Sequence, residues 1–431
     1  MKISVYWFRR DLRLEDNAAL LHALESGYPV LPIFIFDKNI LQDLPKEDQR
    51  LTFIYSTLKS IHTKLKNWGS SLLCLIGDPR EIWEELTEQY EISGVYINKD
   101  YEPYAIERDN KVKQLLLKRG IMLFAYKDQV IFEESEVIKH DGNPYTVFTP
   151  YKNKWLSMIR EEHYRPSYKI KFNNFIKHVF TFPVLSVTGF TESGKPVKDF
   201  NLSDLHKYGI TRDYPSEETT NLGPHLRFGT VSIRKVISRA VADSPLFLSE
   251  LIWREFFMQI LFHFPQVVTQ NFKPKYNGIR WRNCKQEFEL WCKGNTGYTF
   301  VDAGMRQLNA TGYMHNRVRM IAASFLCKHL LIDWRWGEAY FARKLIDYEL
   351  SSNNGNWQWA AGTGCDAAPY FRIFNPVQQQ KKFDKDLKYV KRWVPELKSR
   401  GYVKPVVELE FARARTLNTY KDGINKMIKS I

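Results

Sequence analysis

Between Leu350 and Pro376 the chain reads LSSNNGNWQWAAGTGCDAAPYFRIFNP. Amides at Asn353, Asn354 and Asn356 precede Trp357 and Trp359. Small residues follow from Ala360 to Gly364, then Asp366, Pro369-Tyr370-Phe371, Arg372 and Asn375-Pro376. Small residues let a flat group approach a backbone, rings stack on it, and amides hydrogen-bond a ring or base edge. The stretch therefore suits a place between a planar cofactor and a nucleic-acid base. A tightly packed helix pair with buried tryptophans is the alternative the same residues allow. If Asn353 to Trp359 is one helix, Asn353 and Trp357 share a face and Trp359 points away from it, for a different contact. Gly355 is the weak point of that helix.

Other groups share helical faces. Glu250, Trp253 and Phe257 fall at i, i+3 and i+7. A ring stacked on a base with a carboxylate accepting from its edge is one reading; a carboxylate paired with an arginine beside a core tryptophan is the other. Asn316 and Met320 lie one turn apart, with Arg319 beside them and Arg317 pointing elsewhere. Asn316 suits a base or ring edge, or opens its helix like a cap with the arginines in solvent. Thr219-Thr220-Asn221-Leu222-Gly223-Pro224 offers hydroxyls and backbone N–H groups before a helix, a weak anion cradle. No Ser/His/Asp order, carboxylate pair or HExxH occurs. The five cysteines, Cys74, Cys284, Cys292, Cys327 and Cys365, show no CxxC spacing. No metal site is expected, hydrolysis has no visible apparatus, and an enzyme built this way takes its hard chemistry from a cofactor.

The elements that must position these groups fall into two kinds. Strands at Ile3–Phe8, Tyr28–Phe36, Ser71–Ile76, Gly94–Asn98 and Ile121–Ala125 alternate with helices at Asn17–Glu25, Asp48–Trp68, Pro79–Tyr90 and Tyr104–Arg119. Apolar strands alternating with helices predict a doubly wound parallel sheet over residues 1–130. It has neither GxGxxG nor GxxxxGK[ST]. Ligands of such sheets sit at the carboxyl ends of strands, so Trp7, Asp37, Asn98, Lys99, Asp100 and Glu102 are crevice candidates. Residues 131–205, including TVFTPYKNKW, read as a long connector whose aromatics favour packing. Residues 206–431 read as all-helical, with spacing at Ile233–Ala242, Phe247–Phe264, Tyr298–Ala310, Asn316–Leu331, Gly337–Leu345 and Gln358–Ala361. The fold class is α/β plus all-α.

At 431 residues with 44% apolar content, two cores are the default. No apolar run approaches the ~20 residues of a membrane span, and the N-terminus lacks a secretory pattern. Odd, unpaired cysteines fit a reducing cytoplasm. A net charge of +15 suggests a polyanionic partner. With 15% aromatic residues and 12 tryptophans, single-stranded or flipped-base recognition fits better than groove reading alone.

WFRRDLRLEDNAAL (Trp7–Leu20), ELIWREF (Glu250–Phe256), TGY (Thr296–Tyr298), VDAGMRQLNATGYMHNRVRM (Val301–Met320) and the Leu350–Pro376 stretch resemble the photolyase/cryptochrome family. The likeness runs from Lys2 to about Tyr420 and is nearest to bacterial class I cyclobutane pyrimidine dimer photolyases. It implies a Rossmann-like antenna domain, a helical FAD-binding domain, and UV-damaged DNA as partner of a monomeric bacterial cytoplasmic protein, nucleoid-associated when bound. It implies light-driven repair, in which an electron lent by excited reduced FAD splits a flipped dimer and returns.

By the same resemblance, Tyr208, Thr219, Thr220 and Leu222 match positions beside the FAD phosphates. Arg319 and Asp347 match the pair beside the flavin ring, Glu349 stands near it, and Asn353 matches the residue facing flavin N5. Trp357, Trp334 and Trp281 match an electron-transfer chain. Glu250, Trp253, Asn316, Met320 and Trp359 match the lesion pocket, and Arg317 and Arg372 match residues near DNA phosphates. Asn316 and Met320 stand where (6-4) photolyases carry histidines, which favours cyclobutane dimers.

Three departures stand out. Phe257 replaces a common Tyr, and Glu349 a usual Asp. The family's folate-holding Cys-Lys pair falls at Val268-Thr269 and its glutamate near Ala105, which argues against folate. A deazaflavin, a flavin or no antenna chromophore stays open. A cryptochrome-like blue-light receptor without repair activity is the alternative function. The complete lesion pocket and the absence of a long tail after Tyr420 favour repair.

Overall fold

The computed structural model describes residues 1–165, 172–398 and 402–429; residues 166–171 of the expected connector lie outside the described residues. The chain forms two compact units. One holds Met1–Glu136, Trp155–Phe200 and Asn221–Leu248; the other holds Val137–Lys154, Asn201–Thr220 and Ser249–Ile431.

The first unit is a five-stranded sheet of order β3-β2-β1-β4-β5 with every neighbour parallel. Its strands are β1 (Ile3–Phe8), β2 (Val30–Asp37), β3 (Leu73–Gly77), β4 (Ile92–Asn98) and β5 (Met122–Tyr126). β1 and β2 are buried along their whole length, whereas edge strands β3 and β5 are partly exposed. That is why the β2 run is near-continuously apolar, while β1, expected to alternate, is buried on both faces with Ser4 inside it. Crossovers α1 (Ala18–Leu24), α2 (Gln49–Leu65), α3 (Pro79–Gln89) and α4 (Pro103–Lys118) join the strands. Side chains of Asn17, Asp48 and Asp78 accept from backbone N–H groups and start the first three. Arg13 and Arg234 both reach buried Asp128, which ties the 221–248 segment to this unit.

In the second unit, helices carry the site. The expected connector contains α5 (Phe148–Met158). Pro150 discourages a helical reading, but a proline in the first turn removes no intrahelical bond. Phe148, Tyr151 and Trp155 are buried at i, i+3 and i+7. Then come α6 (Pro245–His263), α7 (Thr299–Thr311), α8 (Asn316–Ser324), α9 (Trp334–Lys344), α10 (Leu350–Ala361) and α11 (Leu409–Ile428). The helix expected through Leu331 is α only to Ser324. It widens into a π-type turn at Phe325–His329 and stops where Leu331 takes a positive φ of 54°. α10 runs unbroken through Gly355. A Cβ there would run into the Phe257 ring, so the glycine admits α6 against α10.

Candidate functional site

α8, α9 and α10 line an open cleft. Asn316, Arg319 and Met320 reach it from α8, Asp347 and Glu349 from the turn before α10, and Asn353, Trp357 and Trp359 from α10. Eight residues expected to do chemistry thus share one wall system. Trp357 and Trp359 were expected to face apart. Both line the cleft, because it wraps around more than one side of α10.

The polar groups are held in defined states. Arg319 Nη2 donates to Asp347 Oδ2 at 2.8 Å, and its Nε donates to the Met314 carbonyl at 2.7 Å. Burial alone would lower the Arg319 pKa, but Asp347 outweighs it and the net shift is upward, so the guanidinium stays charged. Asn353, 9% exposed, spends its amide nitrogen on the Glu338 carboxyl at 2.8 Å and the Glu338 carbonyl at 3.2 Å. Its side-chain oxygen remains an acceptor. Burial pushes the Glu338 carboxyl up, against the opposing Asn353 bond. Glu349 stands just before α10, accepts from the Ser352 hydroxyl and pairs with Arg254 at 3.0 Å.

These features fit a flavin. Asp347 Oδ1 is buried and has no hydrogen-bond partner among the described residues, and a buried acceptor left bare is costly. A ring N–H or hydroxyl would satisfy it. Phe341, Ala323 and Trp357 supply apolar walls beside that oxygen and the Asn353 amide.

Trp357 and Trp334 are buried in one hydrophobic cluster, and half-buried Trp281 packs against it. The Trp357 ring sits where a side chain at Gly337 would be and meets Phe341 edge-on at 5.0 Å. Trp334 Nε1 donates to Asn271 at 2.8 Å, and Trp281 meets Tyr420 edge-on at 5.9 Å.

The remaining expected residues lie outside the cleft lining. Glu250 pairs with Arg212 at 2.8 Å, and Arg212 also lies over the Tyr208 ring. Half-buried Trp253 neighbours Phe257, the ring seated on Gly355. Phe257 is buried, which suits a ring without the hydroxyl. Arg317 pairs with Asp213 and covers Phe383, while Arg372 is exposed beside Phe374. Thr219 hydrogen-bonds the Tyr313 hydroxyl, and Arg319 lies over the Tyr313 ring. The Thr220 carbonyl accepts from Asn201. Leu222 belongs to the first unit, where it caps a five-residue helix.

The first unit has its own open cleft at the carboxyl ends of β1, β2 and β4. Trp7, Asp37, Asp100 and Glu102 line it as expected. Asn98 is instead bound to Asp11, Asn17 and the Ala19 N–H. Sequence reasoning did not single out Arg9, Arg10 and Arg108, which also line this cleft. It also missed Glu338 and Arg254. Each acts on a residue of a distant segment, so no local spacing signals it.

The family pattern described as DNA photolyase matches residues 4–167, and that of the FAD binding domain of DNA photolyase matches residues 247–401. A deoxyribodipyrimidine photo-lyase of Agrobacterium fabrum is 38% identical, covering 93% of this chain and 88% of its own. A bacterial class III photolyase from Agrobacterium tumefaciens superposes with a TM-score of 0.83 at 34% identity, over 99% of this chain and 98% of its own. An archaeal photolyase from Sulfolobus tokodaii with two FAD molecules gives a TM-score of 0.83 at 34% identity, over 98% of this chain and 100% of its own.

Proposed function

This chain belongs to the DNA photolyase family, and we propose that its helical cleft carries out light-driven repair of cyclobutane pyrimidine dimers in DNA, with FAD as cofactor. The observation that carries this reading is the shared cleft. It joins a set suited to a flavin ring (Arg319, Asp347, Asn353) to a set suited to a pyrimidine pair (Asn316, Met320, Trp359).

Bound FAD supplies light absorption and one-electron chemistry. The chain's residues do the rest. Asn353, with its nitrogen fixed by Glu338, presents an oxygen that holds a ring proton. Asp347 offers its free oxygen, and Arg319 keeps a positive charge beside it. Asn316, at the exposed start of α8, hydrogen-bonds a base edge, Met320 fills space beside it, and Trp359 stacks. Glu250 and Trp253 complete the lesion pocket from α6. Trp357, Trp334 and Trp281 form an aromatic relay from the cleft toward the surface. Tyr208, Thr219 and Thr220 serve the cofactor's phosphate side, and Glu349 holds the α10 entry against Arg254. Arg317 and Arg372 meet DNA phosphates.

We read the protein as a cytoplasmic monomer. No described helix is long and apolar enough to cross a membrane. The first unit's cleft is our proposed seat for a second planar chromophore, between Trp7, Tyr104 and the buried unpartnered Nη2 of Arg9.

The test is to irradiate a dimer-containing oligonucleotide with blue light in the presence of reduced protein. Recovery of intact thymines is expected, and none would mean a receptor rather than a repair enzyme. Binding should also weaken steeply with salt, from counterion release at the phosphates.

A further inference from the structure

The helix inside the connector makes a contact that none of these roles uses. Phe148, the first residue of α5, lies face to face on Trp253 of α6, with ring centroids 3.6 Å apart and planes 9° from parallel. Lys152, one turn on, places its ammonium 5.8 Å from the Phe148 ring. Phe256 closes the stack edge-on, 5.8 Å from Phe148 and 5.6 Å from Trp253, and Phe257 tilts against Trp253 at 5.3 Å. Phe148 is 6% exposed, whereas Trp253 is half-buried. One face of Trp253 is therefore covered, and three rings set its plane.

A second observation joins the stack to the exposed end of the Leu350–Pro376 stretch. The backbone N–H of Phe148 donates to Asp366 Oδ2 at 3.0 Å. A carboxylate there meets an unpaired N–H and the positive end of the α5 dipole. Asp366 lies a few residues before Phe371 and Arg372, both exposed.

We propose that Phe148 is a positioning residue for Trp253, and that Asp366 couples this stack to the Arg372 segment. This rests on the reading of Trp253 as part of the lesion pocket. A half-buried tryptophan without a backing ring samples several rotamers, and binding must then select one. Stacked on Phe148, it offers a flipped base a plane already set. Undamaged duplex keeps its bases stacked and makes no use of that plane. The contribution of Phe148 therefore falls on the preference for dimer over undamaged DNA, whereas a packing role would fall on stability.

The experiment measures Kd of the FAD-loaded full chain for dimer-containing and undamaged oligonucleotides of one sequence, with FAD content and Tm alongside. Phe148→Leu should weaken dimer binding by about threefold to tenfold, the range expected for one lost aromatic pair, with undamaged binding unchanged. Phe148→Tyr should restore the preference. Asp366→Asn should lose less, in the same direction, and add nothing to Phe148→Leu in the double variant. A Phe148→Leu protein with lowered Tm and an unchanged preference would overturn the proposal. If that variant does not fold, Asp366→Ala gives the same readout from outside the core, and an unchanged preference there overturns it equally. Trp253→Ala is the control. Full dimer binding without Trp253 would refute the pocket assignment itself, a failure distinct from an effect at Trp253 with none at Phe148.

Discussion

The two clefts differ in how their polar groups are satisfied. In the first unit the charges answer one another. Arg10 reaches Asp100 and Glu102, Arg227 pairs with Glu102, Arg9 with Asp109, and Arg108 with Asp109. Burial alone would raise Asp100, but the surrounding arginines, Arg10 first, bring it down to about 2. In the helical cleft neutral amides, the Arg319–Asp347 pair and the Arg254-bound Glu349 stand against apolar walls, and Asp347 keeps an oxygen without a partner. A network of paired charges holds its shape without a ligand, although Arg9 Nη2 stays bare within it. A cleft with a bare buried acceptor gains free energy when one binds. The helical unit should therefore depend on its cofactor far more than the first unit does.

The largest expected effect asks whether the helical cleft's aromatic wall is functional or only packing. Trp357→Phe should abolish photoreduction of oxidised FAD, followed by absorbance under blue light, while chemically pre-reduced protein still repairs. Equal loss of both activities would reduce Trp357 to a core residue. A smaller effect tests the bare acceptor. Asp347→Asn unpairs Arg319 and should weaken FAD retention about tenfold to a hundredfold, from the usual ~1.5–3 kcal/mol of a charged hydrogen bond. Arg108→Gln, in the other cleft, should leave FAD content unchanged and alter only absorbance from a second chromophore. FAD loss in both variants would erase the distinction between the clefts.

A separate test concerns acid. His315 and His329, both in the helical unit, are brought down to about 4, chiefly by burial and then by neighbouring arginines, Arg319 and Arg317 for the first and Arg415 for the second. The unfolded chain protonates them near the usual ~6.5. Between ~6.5 and 4 the unfolded state thus binds more protons, and stability falls as pH drops through that window, by on the order of a few kcal/mol. Tm and bound FAD followed from pH 7 to 4.5 should decline together. A flat profile would show that these histidines protonate without penalty.

The legibility of the two regions in the sequence also differs. β2 announces itself as an apolar run because both its faces are covered. The helical residues Asn353, Trp357, Asn316 and Met320 stand out because amides and large rings recur at helical spacing. Glu338 does not stand out, since its partner Asn353 lies on another helix and the contact has no local period. Phe148 was legible only as an aromatic in a connector that a proline makes look non-helical. Arg9 and Arg10 of the first cleft sit in a charged turn whose partners lie about 90 to 100 residues away in the chain, at Asp109, Asp100 and Glu102.

Side-chain periodicity and the long motifs determined by themselves the two architectures, the family and which residue types could meet a flavin and a base. They did so because burial on a helix or strand repeats every few residues and leaves a local trace. Tertiary structure alone decided that Trp357 and Trp359 share one cleft, that Gly355 admits Phe257, that Asp347 keeps a free oxygen and that Phe148 backs Trp253. Each of these depends on the approach of segments distant in the chain, which no local pattern records.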